Sequence, residues 1–508
     1  MLGEDYPRKR LLPYWSYSHP RWHYMRHKFA YYDVESGEMK YRWDGKVAMV
    51  DEYGRLSAGL FWATRRAIEK ELGVKFKIFG DLVCPTTKSE NNIVSEGEWA
   101  FQNKCVDRMM QVSRFGGGLV VNATGTGKTR TAAMFFSRMS GSHCFVVDQL
   151  LLMKQAISDL EKELGEKIGQ VGNSVFDPQR ITVGTVQTMH RHREDGKFKR
   201  WTRQLDTIII DEIHEQMNHR NFSVVQNIEP KSVYGLTATL QLKKKNVRLR
   251  AWSLAGPVIY ECPLVEGQRR GVLARGIAIR VMVQNKIDME EQRLQSELLK
   301  SQAWNHFYDE QIVTDVERNE VVEDIVRKAR NEGRFSVALV TRVEHLKQLA
   351  ERLSDVPHRV IAGTFRGQHV DVKDRLLFQD KFEEGKIRVI IANTVMKKGV
   401  NIKRVDVVID AAAGSNPNDP VQKYGRGIRL HEDKDGLIYF DISDYDTDNK
   451  YNWFGKAAKR RAKALKAAGI PVLKFWWGID GTENELWTFA EKALRRELAD
   501  RDDQRQDH

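Results

Sequence analysis

The 508 residues include only four cysteines, Cys84, Cys105, Cys144 and Cys262, widely separated and without a C-x-x-C pair. That spacing excludes a zinc ribbon or a disulfide scaffold and fits a reducing compartment. No apolar run approaches the roughly 18 residues a membrane span needs. The N-terminus carries charges and aromatics where an export signal would be apolar. A cytoplasmic protein with no membrane partner is therefore expected. Nuclease and methyltransferase signatures are not evident. Acid is the minority charge: 82 Lys and Arg against 69 Asp and Glu leave a net +13, which fits a polyanionic partner. Hydrophobic content of 41% with 30% charge is ordinary for a globular chain, and 508 residues exceed one core.

Residues 122–129 read Asn-Ala-Thr-Gly-Thr-Gly-Lys-Thr. The apolar run Gly118-Leu119-Val120-Val121 predicts a buried strand before them, and a helix is expected from about Thr129 to Met139. Strand, glycine loop and helix in this order form a phosphate cradle. Gly125 and Gly127 let backbone N–H groups turn inward without a Cβ in the way. The helix start adds its own N–H groups and positive dipole end. Lys128 can reach the β- and γ-phosphates of ATP, and the Thr129 hydroxyl can ligate Mg2+. Thr124 and Thr126 complete the expected phosphate-binding set, while Asn122 stands where such loops usually begin with glycine.

Residues 1 to about 90 read as a small α+β module set apart from the rest of the chain. Its first half is rich in aromatics, Trp15, Trp22 and Trp43 among them, interleaved with Arg21, Arg26 and Lys28. Tyr41 to Val50 alternates as a strand does, with a turn at Asp44-Gly45. Leu60 to Leu72 has helical spacing with Gly73 to stop it, and Val74 to Phe79 reads as a closing strand. Most of the aromatics are expected in the module's core, with a nucleic-acid role for the module as a whole.

From about 91 to 262 strands alternate with helices, the pattern of a parallel sheet covered on both faces. Gln102, near a helix start about 20 residues before the glycine loop, is placed to hydrogen-bond an adenine edge. Leu150 to Leu164 has helical spacing. The apolar strand Leu205 to Ile210 ends in Asp211-Glu212-Ile213-His214. Ligands gather at such strand ends: Asp211 can hold Mg2+, and Glu212 can deprotonate a water attacking the γ-phosphate. A further strand, Ser232 to Leu236, ends in Thr237-Ala238-Thr239, whose hydroxyls can bond the acidic cluster.

Residues 263–310 read as a charged helical linker, and 311–445 as a second α/β sheet without a phosphate loop of its own. One loop for two sheets suggests a nucleotide site between them. Gln422, Arg426 and Arg429, spaced by four and three residues, would share one helical face. Two guanidiniums presented together suit the charge on a transferring phosphoryl group. The remaining stretch, 446–508, reads as a basic helical tail, with Lys456, Lys459, Arg460, Arg461, Lys463 and Lys466 free of any neighbouring acid and open to phosphate-backbone contact.

Over roughly residues 95–445 this constellation resembles superfamily 2 helicases and translocases. The 122–129 loop resembles motif I, Asp211-Glu212-Ile213-His214 motif II, Thr237-Ala238-Thr239 motif III, and Gln422 to Arg429 motif VI. Leu152 and Gln155 resemble motif Ia, with Asp148 in place of its usual proline. Thr185 resembles a nucleic-acid backbone contact, and Thr394 with Gly399 resembles motif V, with Asn401 where aspartate is common. The resemblance implies two tandem RecA-like domains that close on ATP. It implies Glu212 as base, Arg426 and Arg429 as transition-state stabilisers and Gln422 as support for the attacking water. His214, Thr237 and Thr239 would couple the domains, and Gln155, Thr185 and Thr394 would touch nucleic acid. The stretch Tyr41 to Val47 with Ser57-Ala58-Gly59-Leu60 looks like the module before the motor in phage UvsW-type helicases. That implies forked or junction DNA, branch migration, and a place in recombination or repair beside replication or recombination proteins. It also implies the host cytoplasm if the gene is a phage's. A duplex translocase that does not part strands and an RNA helicase are the alternatives.

Overall fold

The computed structural model describes residues 8–20, 22–33, 38–50, 55–73, 87, 92–215, 225, 228, 230–238, 245–284, 289–299, 302–362, 364–365, 368–369, 372–393, 402–416, 418–445 and 451–506. The chain divides into two units, Met1–Asn122 with Gly127–Glu261, and Cys262–His508 with the loop residues Ala123–Thr126.

The first unit opens with α1 (Arg8–Trp15), β1 (Ser16–Ser18), α2 (Trp22–Met25), β2 (Ala30–Asp33), β3 (Glu38–Tyr41), β4 (Lys46–Ala48) and α3 (Phe61–Leu72). The Asp44-Gly45 turn forms as expected: the Lys46 N–H donates to the Asp44 carboxylate at 2.9 Å. Gly45 has φ +77°, and a Cβ there would strike the Trp22 ring at 2.4 Å. Trp22 in turn packs on Phe29, Tyr41 and Trp43, so these aromatics build a core. Gly73 ends α3 in the left-handed conformation, its N–H returned to Glu69 O. The expected strand at Val74 to Phe79 lies outside the described residues.

The expectation of a module standing apart is corrected. Tyr17 and Leu60 share a buried cluster with Leu249, the Ser57 and Ser253 hydroxyls are 2.8 Å apart, and Arg250 Nε donates to Tyr17 OH at 2.8 Å. Gly59 permits the closest approach: a Cβ there would lie 2.1 Å from Trp252 O. The module is built onto the first sheet domain.

That domain continues with α4 (Phe101–Val112), β5 (Gly117–Asn122), α5 (Lys128–Ser137), β6 (Ser142–Val147), α6 (Leu150–Leu164), β7 (Gly169–Gly172), β8 (Val175–Asp177) and β9 (Ile181–Thr185). It then runs through α7 (Val186–His192), α8 (Gly196–Thr202), β10 (Leu205–Ile210), β11 (Ser232–Thr237), α9 (Lys245–Ala255) and β12 (Val258–Cys262). The sheet order is β12-β5-β11-β10-β6-β9-β7-β8. Strands β5, β11, β10, β6, β9 and β7 run parallel, and β8 turns back on β7. Continuous apolar strands follow from burial on both faces: Ile208, Ile209 and Ile210 are wholly buried. The parallel order brings the ends of β5, β10 and β11 side by side, which is what assembles the site.

The second unit holds α10 (Leu264–Arg269), β13 (Gly276–Val283), α11 (Met289–Leu299), α12 (Ala303–Tyr308), α13 (Val316–Asn331), β14 (Ser336–Leu339), α14 (Val343–Arg352) and β15 (Arg359–Ile361). The small hairpin β16 (Thr364–Phe365) and β17 (Gln368–His369) follows. Then come α15 (Val372–Glu383), β18 (Val389–Ala392), β19 (Val407–Asp410), α16 (Asn418–Gly427), β20 (Leu437–Asp444), α17 (Trp453–Ala467), β21 (Val472–Trp476) and α18 (Glu483–Gln506). Seven strands form one parallel sheet in the order β15-β18-β14-β19-β20-β13-β21.

This sheet redraws the expected boundaries. The supposed linker 263–310 contributes β13, and the supposed tail 446–508 contributes β21, which pairs with it. Arg461 is also corrected: it is 1% exposed and its guanidinium pairs with Asp441 at 2.8 Å, whereas Lys459, Arg460, Lys463 and Lys466 are exposed. A chain ended after residue 445 would lose Phe475, Leu486, Trp487 and Leu494 from the core, each contributing about 1.5–3 kcal/mol. It would also strand Asp441 without its cation, at about 3–5 kcal/mol. Calorimetry of that truncation should therefore show loss of one cooperative unfolding transition; retention of every transition of the full chain would contradict this packing.

Candidate functional site

β5 is pinned in the sheet by parallel pairing with β11, from Gly117 to Val121. Beyond it the loop turns on itself: the Thr126 hydroxyl donates to Ala123 O at 2.7 Å. Gly125 and Gly127 take φ values of +90° and +76°, where a Cβ would be strained. Gly127 is the residue before α5, which begins with Lys128 and Thr129. A Cβ on Gly127 would also lie 2.5 Å from Gln102 Nε2. Gln102 is fully buried, and Ser95 Oγ donates to its Oε1 at 2.7 Å. The structure thus brings Gln102 beside the loop.

The acids arrive from β10. The Asp211 N–H extends the β10–β6 pairing by donating to Val146 O at 2.9 Å. Glu212 then breaks out of the strand with φ +45°, a left-handed conformation uncommon for a non-glycine residue. That turn aims its carboxylate at α5, where Lys128 Nζ lies 3.1 Å from Glu212 Oε1. The other carboxylate oxygen accepts from Thr237 Oγ1 at 3.3 Å, and His214 Nδ1 is 2.8 Å from the same hydroxyl. Donation from His214 Nδ1–H to Thr237 and from Thr237 to Glu212 satisfies each group. Burial pushes the Glu212 carboxyl up, but the Lys128 ammonium, His214 and the Ala238 N–H outweigh it and hold the pKa below the usual carboxylate range. Glu212 is therefore a charged base at neutral pH.

Thr129 and Asp211, both half-buried, flank the Lys128–Glu212 pair in sequence and offer the hard oxygen donors that suit Mg2+. Bound there, the ion would neutralise charge on the phosphates. Thr239 and Thr394 lie outside the described residues. Thr185 is 3% exposed and caps α7, accepting from Thr188 N and donating to Thr188 Oγ1 at 2.9 Å. Gln155 is half-buried on α6.

In the second unit the face expected to carry three residues carries two. α16 ends at Gly427, so Gln422 and Arg426 are on the helix and Arg429 lies beyond it. The helix stops because its last carbonyls are claimed elsewhere: Ile428 O accepts from the Ala274 N–H at 2.7 Å, and Gly427 O accepts from Lys434 Nζ. Sequence reasoning missed what fixes this helix. Lys423 is 6% exposed, and its Nζ lies 2.6 Å from Asp410 Oδ1 at the end of β19. Tyr439 OH donates to the other Asp410 oxygen at 2.6 Å. Burial pushes Asp410 up; Lys423 and Arg461 overcome this and hold it at about 2. A lysine inside the motif, at a helical position facing the sheet, was the available signal.

The family descriptions "Type III restriction enzyme, res subunit" and "Helicase conserved C-terminal domain" match residues 97–242 and 317–431. DNA 3'-5' translocase XPB2 of Sulfurisphaera tokodaii is 23% identical over 399 residues, covering 73% of this chain and 86% of that protein. A putative ATP-dependent RNA helicase of Acanthamoeba polyphaga mimivirus is 23% identical over 384 residues, covering 73% and 68%. Among solved structures, S. cerevisiae Dbp5 bound to RNA and ADP BeF3 covers 78% of this chain and 97% of its own, at 13% identity and a TM-score of 0.53, a likeness of fold. T4 UvsW spans 93% of this chain and 96% of its own at 15% identity, but its TM-score of 0.39 carries no argument. Two family models in the right order, on two parallel-sheet units of RecA-like design, make the chain an ATP-hydrolysing member of helicase superfamily 2.

Proposed function

We propose that this enzyme is an ATP-driven DNA helicase or translocase that unwinds or branch-migrates forked and junction DNA in the cytoplasm, in recombination or repair. The observation that carries the motor reading is the Lys128–Glu212–Thr237–His214 network, which ties the phosphate loop to the ends of β10 and β11. DNA is favoured by the net charge of +13 and by the likeness to a protein named a DNA translocase.

In this reading the loop N–H groups, Lys128 and the start of α5 bind the phosphates of ATP, and Gln102 reads the adenine edge. Thr129 and Asp211 hold Mg2+, which screens the phosphate charge when bound. Glu212 orients a water and takes its proton. Thr237 and His214, bonded to that carboxylate, register its protonation and pass the change to the nucleic-acid contacts assigned to Gln155, Thr185 and Thr394. Arg426 and Arg429 meet the charge that builds on the γ-phosphoryl group, with Gln422 beside the water. A full arginine finger is worth about 10³-fold or more. Because Arg429 remains, Arg426→Ala should slow DNA-stimulated hydrolysis about 10²-fold while leaving ATP affinity near that of the wild type. An unchanged turnover rate removes Arg426 from the role.

The deciding experiment compares ATPase stimulation by single-stranded, duplex, forked and four-way DNA and by matched RNA. Greatest stimulation by forked or four-way DNA supports the proposal. Greatest stimulation by RNA makes it an RNA helicase, a reading to which the mimivirus relative's name lends weight. Stimulation by duplex with triplex displacement but no strand displacement makes it a translocase that leaves the duplex intact.

A further inference from the structure

The first unit contains a groove of about 1500 Å³ bounded by α1 and α3 on one side and by the end of α4, Phe115, α9 and the start of β12 on the other. It opens at the amino end of β5, while the phosphate loop follows the carboxyl end. A strand of this length, at about 3.3 Å per residue, separates the two by roughly 20 Å. The groove is therefore not the nucleotide site.

Its walls are aromatic. Trp62 and Phe115 lie 5.1 Å apart between ring centroids, Phe61 stacks on the opposite side of the same wall at 5.6 Å from Phe115, and Trp252 faces in from α9. Its rim is cationic: Arg66, Lys70, Arg108, Arg114, Lys245 and Arg248 all line it. Two guanidiniums sit over the rings, Arg114 at 4.8 Å from Phe115 and Arg248 at 5.6 Å from Trp252. Glu71 is the one carboxylate among the described lining residues, and the Tyr14 hydroxyl engages it. Six cations against one acid require an anionic occupant. The volume exceeds the roughly 300–1,000 Å³ of small-molecule pockets, which fits a length of chain. Aromatic faces between cations match bases on a phosphate backbone, and only unpaired bases offer their faces.

We infer that this groove binds single-stranded nucleic acid, as a second contact remote from the nucleotide site. The inference rests on the reading of the protein as a nucleic-acid motor and assigns a purpose to the Gly59–Trp252 contact that no step of ATP hydrolysis uses. That contact joins α3 to α9, and so brings the aromatic wall to the cationic one.

The test uses the full chain and fluorescein-labelled oligo(dT) and oligo(U) 20-mers, with affinity measured by anisotropy across a salt series. The double charge reversal Arg66→Glu and Lys70→Glu is made at exposed positions, and a Trp62→Ala variant is made beside it. The double variant should bind at least tenfold more weakly, and its salt slope should fall by about 1.4, at about 0.7 per lost phosphate contact. Basal ATP turnover without nucleic acid should not change. Photocrosslinking of a bromodeoxyuridine 20-mer to the wild type should label Trp62, Phe115 or Trp252. Unchanged affinity and slope in the double variant overturn the inference, as does crosslinking confined to other residues; a protein segment is then the groove's occupant. If Trp62→Ala fails to fold, the double variant still decides. Absence of ATPase stimulation by any nucleic acid would instead defeat the motor reading, so the two failures are distinct.

Discussion

Lys128→Ala is expected to lower ATP turnover by about three orders of magnitude, whichever nucleic acid is present. The side chain leaves the start of α5, where the backbone N–H groups and helix dipole remain but the one mobile cation is gone. At ~1.4 kcal/mol per factor of ten, that loss corresponds to about 4 kcal/mol of transition-state stabilisation. A second consequence stems from the 3.1 Å pair with Glu212. Without the ammonium, burial dominates the carboxyl and its pKa rises, so the limb of the pH–rate profile set by this base should move to higher pH in the variant. Steady-state ATPase across pH 5 to 8 measures both effects. Turnover within tenfold of the wild type, or an unmoved profile, would contradict the assignment.

Glu212→Gln separates chemistry from binding. The amide keeps the shape and can still accept from Thr237, but it cannot take a proton from water. General-base catalysis is worth about 10²–10⁴-fold, and hydrolysis should fall by that factor. Binding should hold or tighten, because the variant no longer competes with a triphosphate for the Lys128 ammonium. Equilibrium binding of ATP measured beside single-turnover hydrolysis tests the pair of effects. A variant that turns over ATP at the wild-type rate would show that another group is the base.

The site's first half was legible because it is local. A glycine loop between strand and helix is written in consecutive residues, as is an acid pair at a strand end. The helix expected from Leu150 to Leu164 forms over that span. What the chain did not disclose are pairings between distant residues. Arg460 and Arg461 are neighbours of one type on one helix, yet only Arg461 turns inward to Asp441; nothing local distinguishes them. Arg429 looked helical because helix spacing continued, but the carbonyls that would extend α16 are taken by Ala274 and Lys434. β13 was overlooked although Ile277, Ile279 and Val281 form an apolar run, because charged helices surround it in sequence and its strand partners come much later.

That last pairing bears on how the protein is made. β13 is flanked by β20 and β21, so the ribosome releases it about two hundred residues before its final neighbour, a delay of roughly 10–40 s at ordinary elongation rates. The first sheet can close while synthesis continues, whereas the second must hold an apolar strand unpaired until Val472–Trp476 emerges. Nascent chains should therefore recruit holdase chaperones in that interval, and slowing translation downstream of residue 283 should lengthen the period at risk of aggregation.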